Sequence, residues 1–195
     1  MSKKIILASK SFRRKQLLKQ MGLRFKIRES KYKEDMQACS NPYELAKFLA
    51  LKKAEKVASY YDDAIIIGAD TFIIYKNKFI GKPKNREDAK KMLEKFSGNE
   101  HKVVSGFAVI DIKNKIIIND FGEAKIKFKN LSDNEIEDYL NINEFLDKAG
   151  GYGLQDRATV LIESINGDFY SIVGLPINKL YCALKNIGIN ALKFN

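Results

Sequence analysis

Residues Ile65–Thr71 read IIIGADT, and the fold turns on how that stretch is interpreted. A short apolar run rich in β-branched residues predicts a strand buried on both faces of a sheet. Asp70 stands inside it, where a carboxylate is out of place. An ionised carboxylate buried without a partner is strongly destabilising, so the position calls for a bound cation or for a site opened to water for chemistry. By the strand period of two, Gly68 and Asp70 share one face, and the missing side chain at Gly68 is expected to leave space beside the acid. An Asp-Thr turn that merely caps the strand end is the plain alternative.

Strand-like and helix-like runs alternate on either side, which predicts an α/β or mixed-sheet protein. Ile5–Ala8 reads as a short buried strand. The loop Ser9-Lys10-Ser11 leads into a helix carrying Leu17, Leu18 and Met21, stopped by Gly22. Asn41, Pro42 and Glu44 are N-cap, first-turn proline and capping-box residue of a second helix, with the stripe Ala46, Leu49, Ala50 and Val57. After the IIIGADT strand come a hairpin around Asn77, the tripeptide GKP at Gly81–Pro83, and a helix capped by Asn85 and closed by Gly98. Val103–Asp111 and Lys115–Asn119 read as paired strands, and Ala124–Phe128 as another. Ser132 and Glu135 form a capping box. The loop AGGYG precedes an expected hairpin of Thr159–Ile165 and Phe169–Val173 turned at Asn166-Gly167, and Gly174-Leu175-Pro176 opens the last helix.

The chain of 195 residues, 45% hydrophobic, is long enough for one full core or for two lobes sharing a sheet. No apolar run approaches the ~20 residues of a membrane span, and MSKKIILASKSFRR becomes charged too soon for a signal peptide. Cys39 and Cys182 show no CxxC spacing, so neither a disulfide framework nor a zinc site is indicated, and a cytoplasmic location is expected. The net charge of +11 would attract polyanions. In EAKIKFK, however, Lys125, Lys127 and Lys129 alternate with Ala124, Ile126 and Phe128, and no basic-aromatic platform of the RNA-binding kind occurs. The excess charge therefore reads as solvated surface, against nucleic acid as a partner.

Some residues break their local rule. Arg13 and Arg14 occupy a helix first turn, where cations are mildly unfavourable unless an anion binds there; a flexible surface pair is the alternative. Lys53 continues the apolar stripe of the second helix, and snorkelling to water is its plain explanation. Lys82 precedes a proline. His101, the only histidine, is expected to cap or pack. Glu34 and Asp35 look like loop charges, and Gln155 follows a glycine-rich loop that could present its amide to a ligand.

Taken together, LASKSFRRKQLL (Leu7–Leu18), LALKKA (Leu49–Ala54), IGADT (Ile67–Thr71), GKP, SGNEH, DKAGGYGLQ (Asp147–Gln155) and GLP resemble, in order, the Maf family of nucleoside triphosphate pyrophosphatases. The resemblance implies a single domain over residues 1–195, an elongated mixed sheet flanked by helices, two lobes with a central cleft, and a homodimer. By matched position it implies that Asp70 accepts a proton and that Ser9, Arg13, Arg14, Lys53 and Lys82 bind the triphosphate. Glu34 would join Asp70 in holding Mg2+ or Mn2+. Thr71 and Gln155, with Arg13, match positions tied to base choice. The AGxYGxQ form is similar to the branch hydrolysing dTTP and UTP. A 7-methyl-GTP or other modified-nucleotide pyrophosphatase is the alternative within the class, and a non-catalytic nucleic-acid or regulatory binding protein the alternative outside it. Phe12 and Phe145 replace family prolines, Lys33 stands where an acid is frequent, and Asp156 where glycine is often found.

Overall fold

A computed structural model describes residues 3–143, 145–146 and 148–193; Asp147, the first residue of the DKAGGYGLQ string, lies outside them. Besides three short 3-10 helices, the described residues form seven strands and six α-helices. These are β1 (Ile5–Leu7), α1 (Phe12–Gln20), β2 (Lys26–Ile27), α2 (Pro42–Ala58), β3 (Ile65–Tyr75), β4 (Lys78–Ile80) and α3 (Arg86–Phe96), followed by β5 (Glu100–Asp111), β6 (Ile116–Phe128), α4 (Asp133–Asn141), β7 (Ile162–Gly167), α5 (Phe169–Val173) and α6 (Ile177–Asn186). None of these helices is long and apolar enough to cross a membrane.

The strands make one mixed sheet in the order β2-β1-β3-β5-β6-β7, with β4 paired to β3. β1 runs parallel to β3, Ile6 opposite Ile66, while β4 and β7 pair antiparallel with β3 and β6. As IIIGADT predicts, β3 is covered on both faces along nearly its whole length. The chain divides into two compact units, and the divisions fall within β3, β5 and β6. Unit 1 comprises residues up to Thr71, Ser105–Gly122 and the chain from Gly174 onward; unit 2 comprises Phe72–Val104 and Glu123–Val173. Unit 1 holds a core of Ile6, Ala8, Ala50, Ala54, Val57, Ile66 and Ala108. Unit 2 centres on Leu93, Phe96, Ile126, Phe128, Tyr139 and Tyr152.

Helix starts follow their caps. The Asn41 side chain accepts from the backbone N–H groups of Tyr43 and Glu44, and Ser132 and Glu135 complete a reciprocal box at α4. The Glu44 carboxylate pairs with Lys47 at 2.8 Å.

Two expectations are overturned. Ile116–Asn119 and Ala124–Phe128, expected as separate strands, are the two ends of one strand, β6, and Lys115, with a positive φ of 56°, belongs to the turn ahead of it. The second hairpin does not form either: Asn166 and Gly167 stay in β7, opposite Lys125 and Ala124. Phe169–Val173 is the helix α5. Asp168 accepts from the Tyr170 N–H at 3.0 Å and from the Ser171 hydroxyl at 2.5 Å, so a local cap outcompetes the Asn-Gly turn.

Candidate functional site

Asp70 is 6% exposed, and its surroundings follow from two glycines. A methyl group built at Gly68 would lie 2.3 Å from the Ala50 carbonyl oxygen and 2.8 Å from the Ala54 nitrogen. One built at Gly106 on β5 would lie 2.1 Å from the Ala46 carbonyl oxygen. The backbone of α2 therefore rests directly on β3 and β5. The space expected beside Asp70 is not open: its volume is taken by this helix, because main chain can approach only where a Cβ is missing.

That approach delivers Lys53. Its side chain does not snorkel; the residue is 8% exposed, and its ammonium donates to Asp70 Oδ1 and to Glu34 Oε1, both at 2.6 Å. Glu34, from the loop before α2, is thus more than a loop charge. Removing one partner from the buried Lys53–Asp70 pair typically costs about 3–5 kcal/mol; the Glu34 side chain is exposed. Divalent-metal binding would require carboxylates aimed at a common point. Asp70 and Glu34 meet that requirement, since both already converge on one cationic nitrogen, and carboxylate oxygens suit Mg2+ and Mn2+. Among the described residues no cluster of three His, Cys, Asp or Glu joins them.

Arg14 is held differently. Ser11 caps α1 by accepting from the Arg14 N–H, and the guanidinium turns inward. Nε donates to the Gly174 carbonyl at 2.9 Å, one terminal nitrogen to Ser9 Oγ at 3.3 Å and the other to Thr71 Oγ1 at 3.0 Å. These three acceptors are neutral oxygens and use three of the guanidinium's five N–H donors. Burial pushes the Arg14 guanidinium below its ordinary value; Asp70 and Glu34 oppose that and neighbouring Arg13 adds to it. A cation enclosed in this way favours an incoming anion. Arg13 stands half-buried beside it in the same first turn.

Thr71 Oγ1 also lies 2.6 Å from Ser105 Oγ, and Ser105 is fully buried. The sequence reading passed over Ser105 and the Gly174 carbonyl. Ser105 left a signal of the same kind as Asp70, a polar residue inside the apolar run VVSGFAVI; a backbone oxygen leaves none.

Lys82 and Gln155 belong to unit 2, and both are exposed. Their segments are joined there: Gly150 N–H donates to the Gly81 carbonyl at 2.8 Å. Gly150 has φ of 70°, and a methyl group on it would meet Ile73 at 2.4 Å, so glycine is required. Tyr139 donates to the Gly151 carbonyl at 3.0 Å, and Tyr152 is hydrogen-bonded to His101 at 2.5 Å. Next to Gln155, Asp156 pairs with Lys148 and accepts from the Ala158 N–H at 3.0 Å. His101 packs as expected, 4.2 Å centroid to centroid from Phe96, and burial pushes its imidazole down to about 3.

The assembled unit 1 residues are thus two carboxylates on one ammonium and an enclosed guanidinium with donors to spare, a set suited to a metal-bound polyphosphate. The chain is similar to several known proteins. A dTTP/UTP pyrophosphatase of Clostridium botulinum (strain Okra / Type B1) is 44% identical over 193 residues, covering 96% of this chain and 99% of its own length. One from Bacillus cereus (strain Q1) is 42% identical, covering 96% and 97%. One from Alkaliphilus oremlandii (strain OhILAs) is 44% identical, covering 94% and 96%. Residues 4–187 match the family described as Maf-like protein, and with that extent of agreement the chain belongs to the Maf family.

Proposed function

We propose that this protein hydrolyses dTTP and UTP to the nucleoside monophosphate and pyrophosphate. The observation that carries the proposal is kinship: relatives bearing that activity in their names are 42–44% identical across nearly the whole chain. The chemistry of the site agrees with it.

Arg14, Arg13, Ser9 and Lys53 bind the polyphosphate, steering and partly neutralising a ligand of about four negative charges. Lys82 is assigned to the same phosphate-binding set by its match to the family's GKP motif. A divalent cation, Mg2+ or Mn2+, held by Asp70 and Glu34 would supply neutralisation of charge on the phosphate oxygens. Asp70 takes the proton of the attacking water. The water oxygen bonds to the α-phosphorus, the bond from that phosphorus to the bridging oxygen breaks, and pyrophosphate leaves with the electron pair. Thr71 acts through Arg14, to which its hydroxyl is committed. Gln155 offers an acceptor and donors to the O4 and N3–H edge that thymine and uracil share.

Pyrophosphate release from dTTP, UTP, ATP and 7-methyl-GTP with Mg2+ or Mn2+ tests the assignment. Monophosphate and pyrophosphate from the two pyrimidines are expected. Asp70→Asn should lower kcat by roughly 10²-fold or more, and Gln155→Ala should erase the pyrimidine preference. Release of single orthophosphates, or turnover of 7-methyl-GTP alone, would overturn the assignment.

A further inference from the structure

Thr71 Oγ1 accepts a hydrogen bond from Arg14 and must place its own single hydrogen elsewhere. Two acceptors are in range: Ser105 Oγ at 2.6 Å and the Gly174 carbonyl at 3.4 Å. The short contact is the favoured one, since 3.4 Å lies beyond the usual range for hydroxyl donors. The Gly174 carbonyl is, moreover, already the acceptor for Arg14 Nε. If Thr71 turned to that carbonyl, it would compete with the guanidinium for the same oxygen. Whichever hydroxyl donates, the 2.6 Å contact with Ser105 Oγ holds the Thr71 oxygen where Arg14 meets it.

Ser105 is itself enclosed. It is fully buried on β5, and its neighbour Gly106 is the point where α2 rests on the strand. The support therefore runs from α2 through β5 to Ser105, from there to Thr71, and from Thr71 to the guanidinium.

We propose that Ser105 is a positioning residue for polyphosphate binding: it holds the Thr71 hydroxyl so that its oxygen faces Arg14, fixing the plane in which the two remaining guanidinium N–H groups meet phosphate. The proposal rests on the polyphosphate chemistry proposed above and adds a residue that never touches the ligand. Removing the hydroxyl leaves Thr71 to rotate, and Arg14 loses its fixed orientation but not its charge. The effect belongs to anion affinity rather than to proton transfer at Asp70.

Calorimetry with inorganic tripolyphosphate separates the possibilities without depending on turnover. Ser105→Ala should raise Kd about five- to tenfold, the usual scale for one lost hydrogen bond, and Ser105→Thr, which keeps the hydroxyl, should bring it back toward the wild-type value. The decisive measurement is a double-mutant cycle. In an Arg14→Lys background, which lacks the planar fork, Ser105→Ala should change Kd by less than about twofold. Full additivity of the two changes, or a Ser105→Ala protein that binds as well as wild type, would overturn the proposal while leaving polyphosphate binding intact. A wild-type protein that binds no tripolyphosphate would instead overturn the functional assignment, and this proposal with it.

Discussion

Lys53 and Arg14 are both inward-facing cations of unit 1, yet they are held in opposite ways. Lys53 is met by two carboxylates at 2.6 Å each, so its charge is already answered within the protein. Arg14 is fixed by a carbonyl and two hydroxyls, all neutral. Neutral acceptors orient a guanidinium without spending its charge, which remains available to a ligand. A carboxylate pair instead holds an ammonium until something more attractive arrives. Unit 2 offers a third solution. His101, 2% exposed and bonded to a phenol, is kept neutral, because burial there is answered by losing the proton rather than by pairing the charge. Burial alone therefore does not mark a functional cation; the identity of its partners does.

The largest test of this contrast removes the approach that creates the Lys53 pair. Gly68→Ala would set a methyl group against main-chain atoms of α2, which cannot swing aside like a flexible side chain. Overpacking of this kind costs about 1–3 kcal/mol, occasionally more, and a thermal midpoint lower by roughly 5–10 °C is expected. Turnover should fall with it as Lys53 is levered away from Asp70, whereas Arg14, whose own acceptors are Gly174, Ser9 and Thr71, is touched only indirectly. Gly81→Ala is the control: nothing lies within 4 Å of the added methyl, and stability should stay within about 0.5 kcal/mol of wild type. Equal midpoints for the two variants would show that α2 can shift, and that the glycine does not set the pair.

The same residues show how far sequence reading could reach. Asp70 and Lys53 stood out because each is charged where the pattern demands an apolar side chain, though snorkelling was the plain reading of Lys53 and its 2.6 Å bond to Asp70 overturns that. The burial of β3 and the caps of α2, α3 and α4 were legible because they are local. Gly68 was misread for a definable reason. A missing Cβ can admit a ligand or a helix, and only the tertiary approach of α2 decides between them. Ser105 left a weaker version of the Asp70 signal, a polar residue in an apolar run, but a neutral hydroxyl in a strand is far less costly to bury than a carboxylate. The Asn166-Gly167 turn was overruled by Asp168, whose capping bonds depend on where α5 lies.

The neutral histidine predicts a pH effect of intermediate size. An unfolded chain takes up the proton near 6.5, whereas the folded protein refuses it until about pH 3. The unfolded state therefore binds more protons between those values, so the stabilisation present above pH 6.5 is lost as the pH falls. Each unit of that window is worth up to about 1.4 kcal/mol, and a loss of about 1–2 kcal/mol is expected on going from pH 6.5 to 5. Urea midpoints measured at both pH values read it directly. His101→Gln can still bond Tyr152 but cannot titrate, and it should flatten the slope. An unchanged slope in that variant would move the acid sensitivity to the carboxylate pairs.

The smallest effect bears most directly on the contrast between the two cations of unit 1. If the Lys53 ammonium sits where Asp70 and Glu34 would hold a divalent ion, the bare protein should bind metal poorly, because a dication would have to enter against a positive charge only a few ångströms away. Lys53→Met removes that charge and leaves both carboxylates. Its affinity for Mn2+ alone, followed by the EPR signal of the free ion, should rise about tenfold, equivalent to about 1.4 kcal/mol. Lys53→Arg keeps a cation there and should bind Mn2+ as weakly as wild type. A parallel change at Arg14, Arg14→Met, should leave Mn2+ affinity within about twofold, since that guanidinium contacts neither carboxylate and its field on them is weaker. Were Lys53→Met to bind Mn2+ no better than wild type, the two carboxylates would not form a common cation position, and Lys53 would be a structural counter-ion rather than a placeholder for the metal.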